Sequence, residues 1–253
     1  MFAKYSNFIE SASFNLTQPH LQDELLIEES GDLSVYYAPF DYINLEAKIV
    51  ICGITPGFQQ AILALSEASR QLKLGATFEE AMLAAKNTAS FGGPMRSNLI
   101  RLLDFIGVPG KLDIDSSSEM FGSKANLVHY TSALRYPVFK SGANYSGVPS
   151  MISYQLLRRQ IETFLVPELA AFSKSTVFIP LGPKVEEALE FCGRVGAIQP
   201  EQILSGLPHP SGANAERIAY FLNEKAAANL SAKTNPQKID EARKRVLAKI
   251  ACI

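Results

Sequence analysis

Two short turns carry the residue types in this 253-residue chain that could do chemistry. One reads Gly53-Ile54-Thr55-Pro56-Gly57; the other reads Leu207-Pro208-His209-Pro210-Ser211-Gly212-Ala213-Asn214. His209 can face a developing negative charge, as a hydrogen-bond donor or a local dipole. Ser211 and Gly212 precede a helix expected from about Asn214, and they offer backbone N–H groups suited to a phosphate. Gly57 allows a close approach to the first turn. Thr55 can hydrogen-bond a water but is too weak a base to take its proton; capping the next helix is its alternative use.

The elements that must position these turns alternate between strand and helix. The apolar run 48–54 reads as a strand buried on both faces. Helical spacing follows through Ile62, Leu63, Leu65 and Leu72 and stops at Gly75. A short helix over 77–87 and a Gly-Gly-Pro turn at 92–94 lead to a further helix through Leu99, Leu103 and Ile106. Residues 125–130 predict a second strand, leading into a polar, glycine-rich loop over 135–149. The pattern over 151–172 predicts an amphipathic helix that Pro167 should interrupt. A third strand is predicted at 176–181, a helix from there to about Cys192, and a short fourth strand at Ile203 and Leu204.

This alternation implies an α/β fold, a three-layer α/β/α sandwich with a central four-stranded parallel sheet. Ligands of such sheets bind beyond the carboxyl ends of the strands, where both turns fall, so the two are expected to share one cleft. A single domain is expected: a lead-in over 1–45, irregular or helical; a core over 47–224; and a helical tail over 225–253.

A net charge of −1 argues against a protein that coats nucleic acid nonspecifically, while leaving room for a grip on a few phosphates. Cys52, Cys192 and Cys252 are too few and too scattered for an iron–sulfur or zinc quartet or a disulfide framework, so no metal or cofactor is expected. No apolar stretch approaches the roughly 18–20 residues that span a bilayer. No secretory signal opens the chain, and a cytoplasmic location without membrane contact is the expectation.

In order and spacing, the two turns resemble the two signature motifs of the uracil-DNA glycosylase superfamily. Residues 53–57 are closest to the Gly-Ile-Asn-Pro-Gly of its mismatch-specific uracil/thymine branch, and residues 207–214 resemble its His-Pro-Ser motif. Between them, the segment at Ser90 and Phe91 resembles the one that supplies an aromatic ring to stack on an extruded base. Thr131-Ser132 stands where many members have Thr-Asn. The likeness spans roughly residues 47–224.

The resemblance implies a monomeric, cofactor-free DNA glycosylase that flips a base and hydrolyses its N-glycosidic bond in base-excision repair, on DNA that could be single-stranded. It implies catalytic roles for His209 and Thr55, and base contacts from Phe91, Ser132, Gly53 and Ile54. DNA contacts fall to Pro56, Gly57, Ser211, Gly212, Ala213 and Asn214.

The chain also departs from the pattern. Thr55 stands where active relatives place Asp or Asn to position water, Ser132 where an Asn reads the base edge, and Ala213 where a leucine wedge is common. A catalytically lapsed base-binding module and a nucleoside or nucleotide hydrolase therefore remain alternatives. Bland uses stand beside several candidates: Phe91 as core, and His129 as a structural residue of its strand. Tyr136, Lys140, Asn144 and Tyr145 either face substrate or are solvated. The basic residues of 233–249 form a solvated helix face or contact nucleic acid.

Overall fold

The structure, a computed structural model, describes residues 1–91 and 94–252. Gly92 and Gly93 of the expected Gly-Gly-Pro turn lie outside the described residues. In chain order the helices are α1 (Phe2–Ser11), α2 (Phe58–Lys73), α3 (Phe78–Ala89), α4 (Pro94–Phe105), α5 (Val108–Leu112), α6 (Gln155–Gln160), α7 (Val166–Ala170), α8 (Pro183–Arg194), α9 (Ala215–Phe221) and α10 (Pro236–Cys252). The strands are β1 (Leu26–Ser30), β2 (Leu33–Tyr36), β3 (Ile49–Gly53), β4 (Val128–Ser132), β5 (Val138–Lys140), β6 (Ala143–Asn144) and β7 (Val177–Pro180). The fold class is α/β, and no described helix is long and apolar enough to cross a membrane.

Two interleaved units divide the chain. The first comprises Met1–Ile43, Ile54–Gly92 and Tyr130–Leu169; the second comprises Asn44–Gly53, Gly93–His129 and Ala170–Ile253. In the first, α2 and α3 pack through small residues: Ala61, Ala64 and Ala68 on one helix, Ala81, Ala85 and Ala89 on the other, all buried. Such faces let two helix backbones approach closely. The start of α3 is set by a capping box, in which Thr77 Oγ1 accepts the Glu80 N–H at 3.3 Å and Glu80 accepts the Thr77 N–H at 2.8 Å.

The same unit holds an antiparallel sheet in the order β1-β2-β5-β6. It arises from segments expected to be irregular or loop. Gly31, at φ +61°, turns β1 into β2, where Leu33 and Val35 are buried and Ser34 and Tyr36 half-buried. β5 and β6 form a hairpin on Ser141 and Gly142, both at positive φ, which suits the right-handed twist of a two-residue turn.

In the second unit β3 runs parallel to β7, pairing Ile49 with Val177 through Cys52 with Pro180, and both strands are fully buried. Among the described residues the sheet order is β4-β3-β7. The expected fourth strand is a single parallel bridge between Phe178 and Ile203, with the Leu204 N–H donating to the Phe178 carbonyl at 2.8 Å. Gly206 ends the pairing. It has φ +124°, and a Cβ there would lie 2.7 Å from the Ala242 carbonyl of α10. β4 starts three residues later than expected, because residues 125–127 form a 3-10 turn. The predicted helix over 151–172 is α6 and α7 separated by a wide π turn over Ile161–Leu165, just before Pro167.

Candidate active site

The turn at 207–212 follows the Ile203 bridge in the second unit, and its geometry centres on His209. The Ser211 N–H donates to His209 Nδ1 at 3.2 Å. A neutral ring whose Nδ1 accepts must carry its hydrogen on Nε2, which has no partner among the described residues. Burial pushes the pKa of this half-buried imidazole below the ordinary histidine value. His209 is therefore a neutral N–H donor at pH 7.

Its backbone is held from several sides. Gly182, at φ +91°, sits where a Cβ would lie 3.2 Å from His209 Cβ, so a glycine precedes α8. Asn98 Nδ2 donates to the Pro210 carbonyl at 3.0 Å, Asn214 Nδ2 to Ser211 Oγ at 3.1 Å, and Arg217 to Asn214 Oδ1 at 2.8 Å. The expectation that Ser211 offers its N–H to a phosphate meets an obstacle here, since that N–H is already given to His209. Gly212 and Ala213 are exposed, and a Cβ on Gly212 would meet nothing within 4 Å.

The turn at 53–57 belongs largely to the first unit. Ile54 accepts the Leu134 N–H at 2.9 Å. Thr55 Oγ1 donates to the Tyr136 carbonyl at 2.9 Å and accepts the Val138 N–H at 3.1 Å. Its only proton is thus committed, and the hydroxyl ties the turn to the segment leading into β5 and to the start of that strand. Nor does Thr55 cap α2, whose N-cap is Gly57; Gln60 Oε1 accepts the Gly57 N–H at 3.0 Å. Gly57 does admit a close neighbour, the side-chain amide of Asn144, whose Nδ2 would lie 3.3 Å from a Cβ there. Asn144 Oδ1 accepts the Phe58 N–H at 2.8 Å, a capping role that sequence alone could not reveal.

Phe91 is buried, with its ring edge-on to Tyr130 at 5.5 Å, and its φ of 49° is unusual for a bulky residue. Ser132 is half-buried at the end of β4, and its hydroxyl makes no hydrogen bond among the described residues. His129 is buried, accepts the Asn44 N–H on Nδ1 at 3.2 Å and packs on Phe172 at 5.3 Å; these are structural contacts.

Over 227 residues the chain is 36% identical to "Uncharacterized protein YoxB" of Bacillus subtilis (strain 168), a match covering 88% of each chain. The chain belongs to the YoxB family. No family profile matches it. No solved structure matches it.

In this YoxB-family chain, the first unit also buries charge that the sequence did not announce. Asp41 accepts from Tyr37 at 2.7 Å and Tyr136 at 2.6 Å; burial of the phenols, and then the Asp41 charge, raise both above their ordinary range. Arg135 pairs with buried Glu168. Lys86, buried on α3, donates to the carbonyls of Tyr42 at 2.5 Å and Phe40 at 3.4 Å, and burial lowers its pKa to about 8. On α10, Arg243 donates to the Tyr220 and Phe221 carbonyls, and Lys249 to those of Pro200 and Ile203. These two bases close backbone ends, while Lys238, Lys244 and Arg245 are exposed.

Proposed function

We propose that this protein is a DNA glycosylase of the uracil-DNA glycosylase type, built on the three-layer sandwich that such enzymes use. The observation that carries the reading is His209: a neutral imidazole in a His-Pro-Ser turn, held by the Ser211 N–H so that Nε2–H is the free donor. In this reading the C1′–N bond of an extruded nucleotide breaks, and its electron pair leaves on the base. The Nε2–H of His209 meets that charge, while water adds to the oxocarbenium-like sugar from the opposite side and its proton passes through solvent to the departed base anion. The resemblance assigns Phe91, Ser132, Gly53 and Ile54 to the base, and Pro56, Gly57, Gly212, Ala213 and Asn214 to the DNA strand.

Thr55 narrows the substrate. With its proton given to Tyr136, the hydroxyl keeps one lone pair that could orient water but no means of deprotonating it. Catalysis then rests on the leaving group. Bases that carry negative charge well, such as uracil, xanthine and oxidised pyrimidines, are the ones that depart. Ala213 supplies no wedge, which favours single-stranded or already unpaired substrates. The protein acts as a monomer in the cytoplasm without a cofactor.

The engaged Thr55 hydroxyl also favours one other reading, a lapsed member that recognises a base without cleaving it. Oligonucleotides carrying uracil, hypoxanthine, xanthine or oxidised pyrimidines, incubated with enzyme and then treated with alkali, separate the two. Strand breaks that disappear in His209→Ala support the glycosylase. Selective binding of modified DNA without breaks supports the lapsed module.

A further inference from the structure

A cavity of about 250 Å3 lies wholly within the first unit, and none of the residues assigned to base cleavage lines it. Its aromatic walls come from three elements: Tyr36 of β2, Phe58 at the start of α2 and Phe139 of β5, with His20 at the rim. Phe139 is buried and meets Tyr36 edge-on at 5.8 Å and 77°, which fixes two of the three faces.

Two polar positions are equally defined. Asn144 Oδ1 accepts the Phe58 N–H, which orients the amide and leaves Nδ2 a donor with no acceptor among the described residues. Ser34 and Tyr36 stand two residues apart on β2, with their side chains on one face. A donor amide, a pair of hydroxyls and three rings suit a flat polar-edged ring.

Size and charge restrict it further. The cavity falls below the roughly 300–1,000 Å3 of drug-sized sites, enough for one base or nucleoside. Burial, then the charges of Asp23 and Glu29, push the Tyr36 phenol up, so the local field is negative and unfavourable to a phosphate. Lys140, next to Phe139, is 3.8 Å from Asp32.

We propose that this cavity binds an uncharged aromatic heterocycle, stacked among Tyr36, Phe58 and Phe139 and hydrogen-bonded by Asn144 Nδ2. Such a ring could be a free nucleoside or an unpaired base of single-stranded nucleic acid. The site does not depend on the glycosylase reading.

Titration calorimetry and NMR of the full chain with adenosine, uridine, AMP and a short oligothymidylate test it. Saturable binding of a nucleoside or of the oligonucleotide is expected, with ring resonances of Tyr36, Phe58 and Phe139 shifting. Tighter binding of the oligonucleotide identifies a strand base as the source; tighter binding of a nucleoside identifies the free molecule. Ala143→Phe, at an exposed rim position, should abolish binding. Asn144→Asp keeps the acceptor for Phe58 but loses the donor, and should weaken binding about fivefold or more. His209→Ala should bind as the native chain does, so failure of the glycosylase reading leaves this result intact. The proposal is overturned if no probe saturates, if both Ala143→Phe and Asn144→Asp bind as the native chain does, or if AMP binds more tightly than adenosine.

Discussion

The Ser211 backbone N–H donates to His209 Nδ1 at 3.2 Å, a bond between residues two apart that decides which ring nitrogen keeps a proton. Protonating the ring would put a hydrogen on Nδ1 against that N–H, and burial disfavours the cation further.

NMR can read the consequence directly, because the chain has only three histidines. His209 should be the Nε2–H tautomer at pH 7 and titrate below the ordinary histidine value. The unfolded chain then takes up its proton first, so this residue's contribution to stability falls as pH drops through about 6.5. An imidazolium at pH 7 would contradict the assignment.

Ser211→Pro removes the bond: the φ −64° and ψ 151° of Ser211 suit proline, which has no N–H and whose ring carbon takes that hydrogen's place beside the imidazole. The Oγ that accepts from Asn214 is lost as well, so Ser211→Ala is the control. Base release should fall about three- to tenfold in Ser211→Pro as the ring loses its fixed tautomer, and stay near native in Ser211→Ala. Gly182→Ala acts differently: its Cβ crowds His209 at a positive φ, and a loss of about 1–2 kcal/mol in denaturant melts is expected.

Thr55 should prove a tether. Thr55→Val leaves the Tyr136 carbonyl and Val138 N–H without their partner and should cost about 1–3 kcal/mol, whereas Thr55→Ser stays near the native stability. Turnover per folded molecule should change only a few-fold in both. A collapse of turnover in Thr55→Val at unchanged stability would show that the hydroxyl acts on water.

How far the sequence foretold this molecule depended on how local the signals were. The apolar run ending at Gly53, the helix after Gly57 and the Pro167 interruption each follow from a few adjacent residues, and each is present. The antiparallel sheet is not legible although Leu33-Ser34-Val35-Tyr36 alternates after Gly31, because four residues flanked by irregular chain make a weak period. At Ile203 the apolar pair looked like a strand, but Gly206 and the nearby α10 backbone allow only a bridge. The site followed the same division. His209 was legible from its neighbours, whereas the partners of Thr55 lie 81 and 83 residues away and those of Asp41 as far as 95.

Lys86 should leave its mark on alkaline stability. Its pKa is about 8 when folded against 10.5 as the ordinary value, so from pH 8 upward the unfolded chain binds more protons. Stability should therefore gain up to about 1.4 kcal/mol per pH unit from this residue until the unfolded lysine also titrates. Above about pH 10 the raised phenols of Tyr37 and Tyr136 act oppositely, since the unfolded tyrosines ionise first. Denaturant melts of the native chain and Lys86→Met between pH 7.5 and 9.5 should show the rise in the first and its absence in the second.

The most direct measurement is base release from single-stranded oligonucleotides carrying uracil, xanthine or an oxidised pyrimidine, native chain against His209→Ala. Alkali-labile sites are expected with the native chain, and a loss of about 100-fold or more in the variant at equal folded fraction. No release above the variant on any of these bases would contradict it.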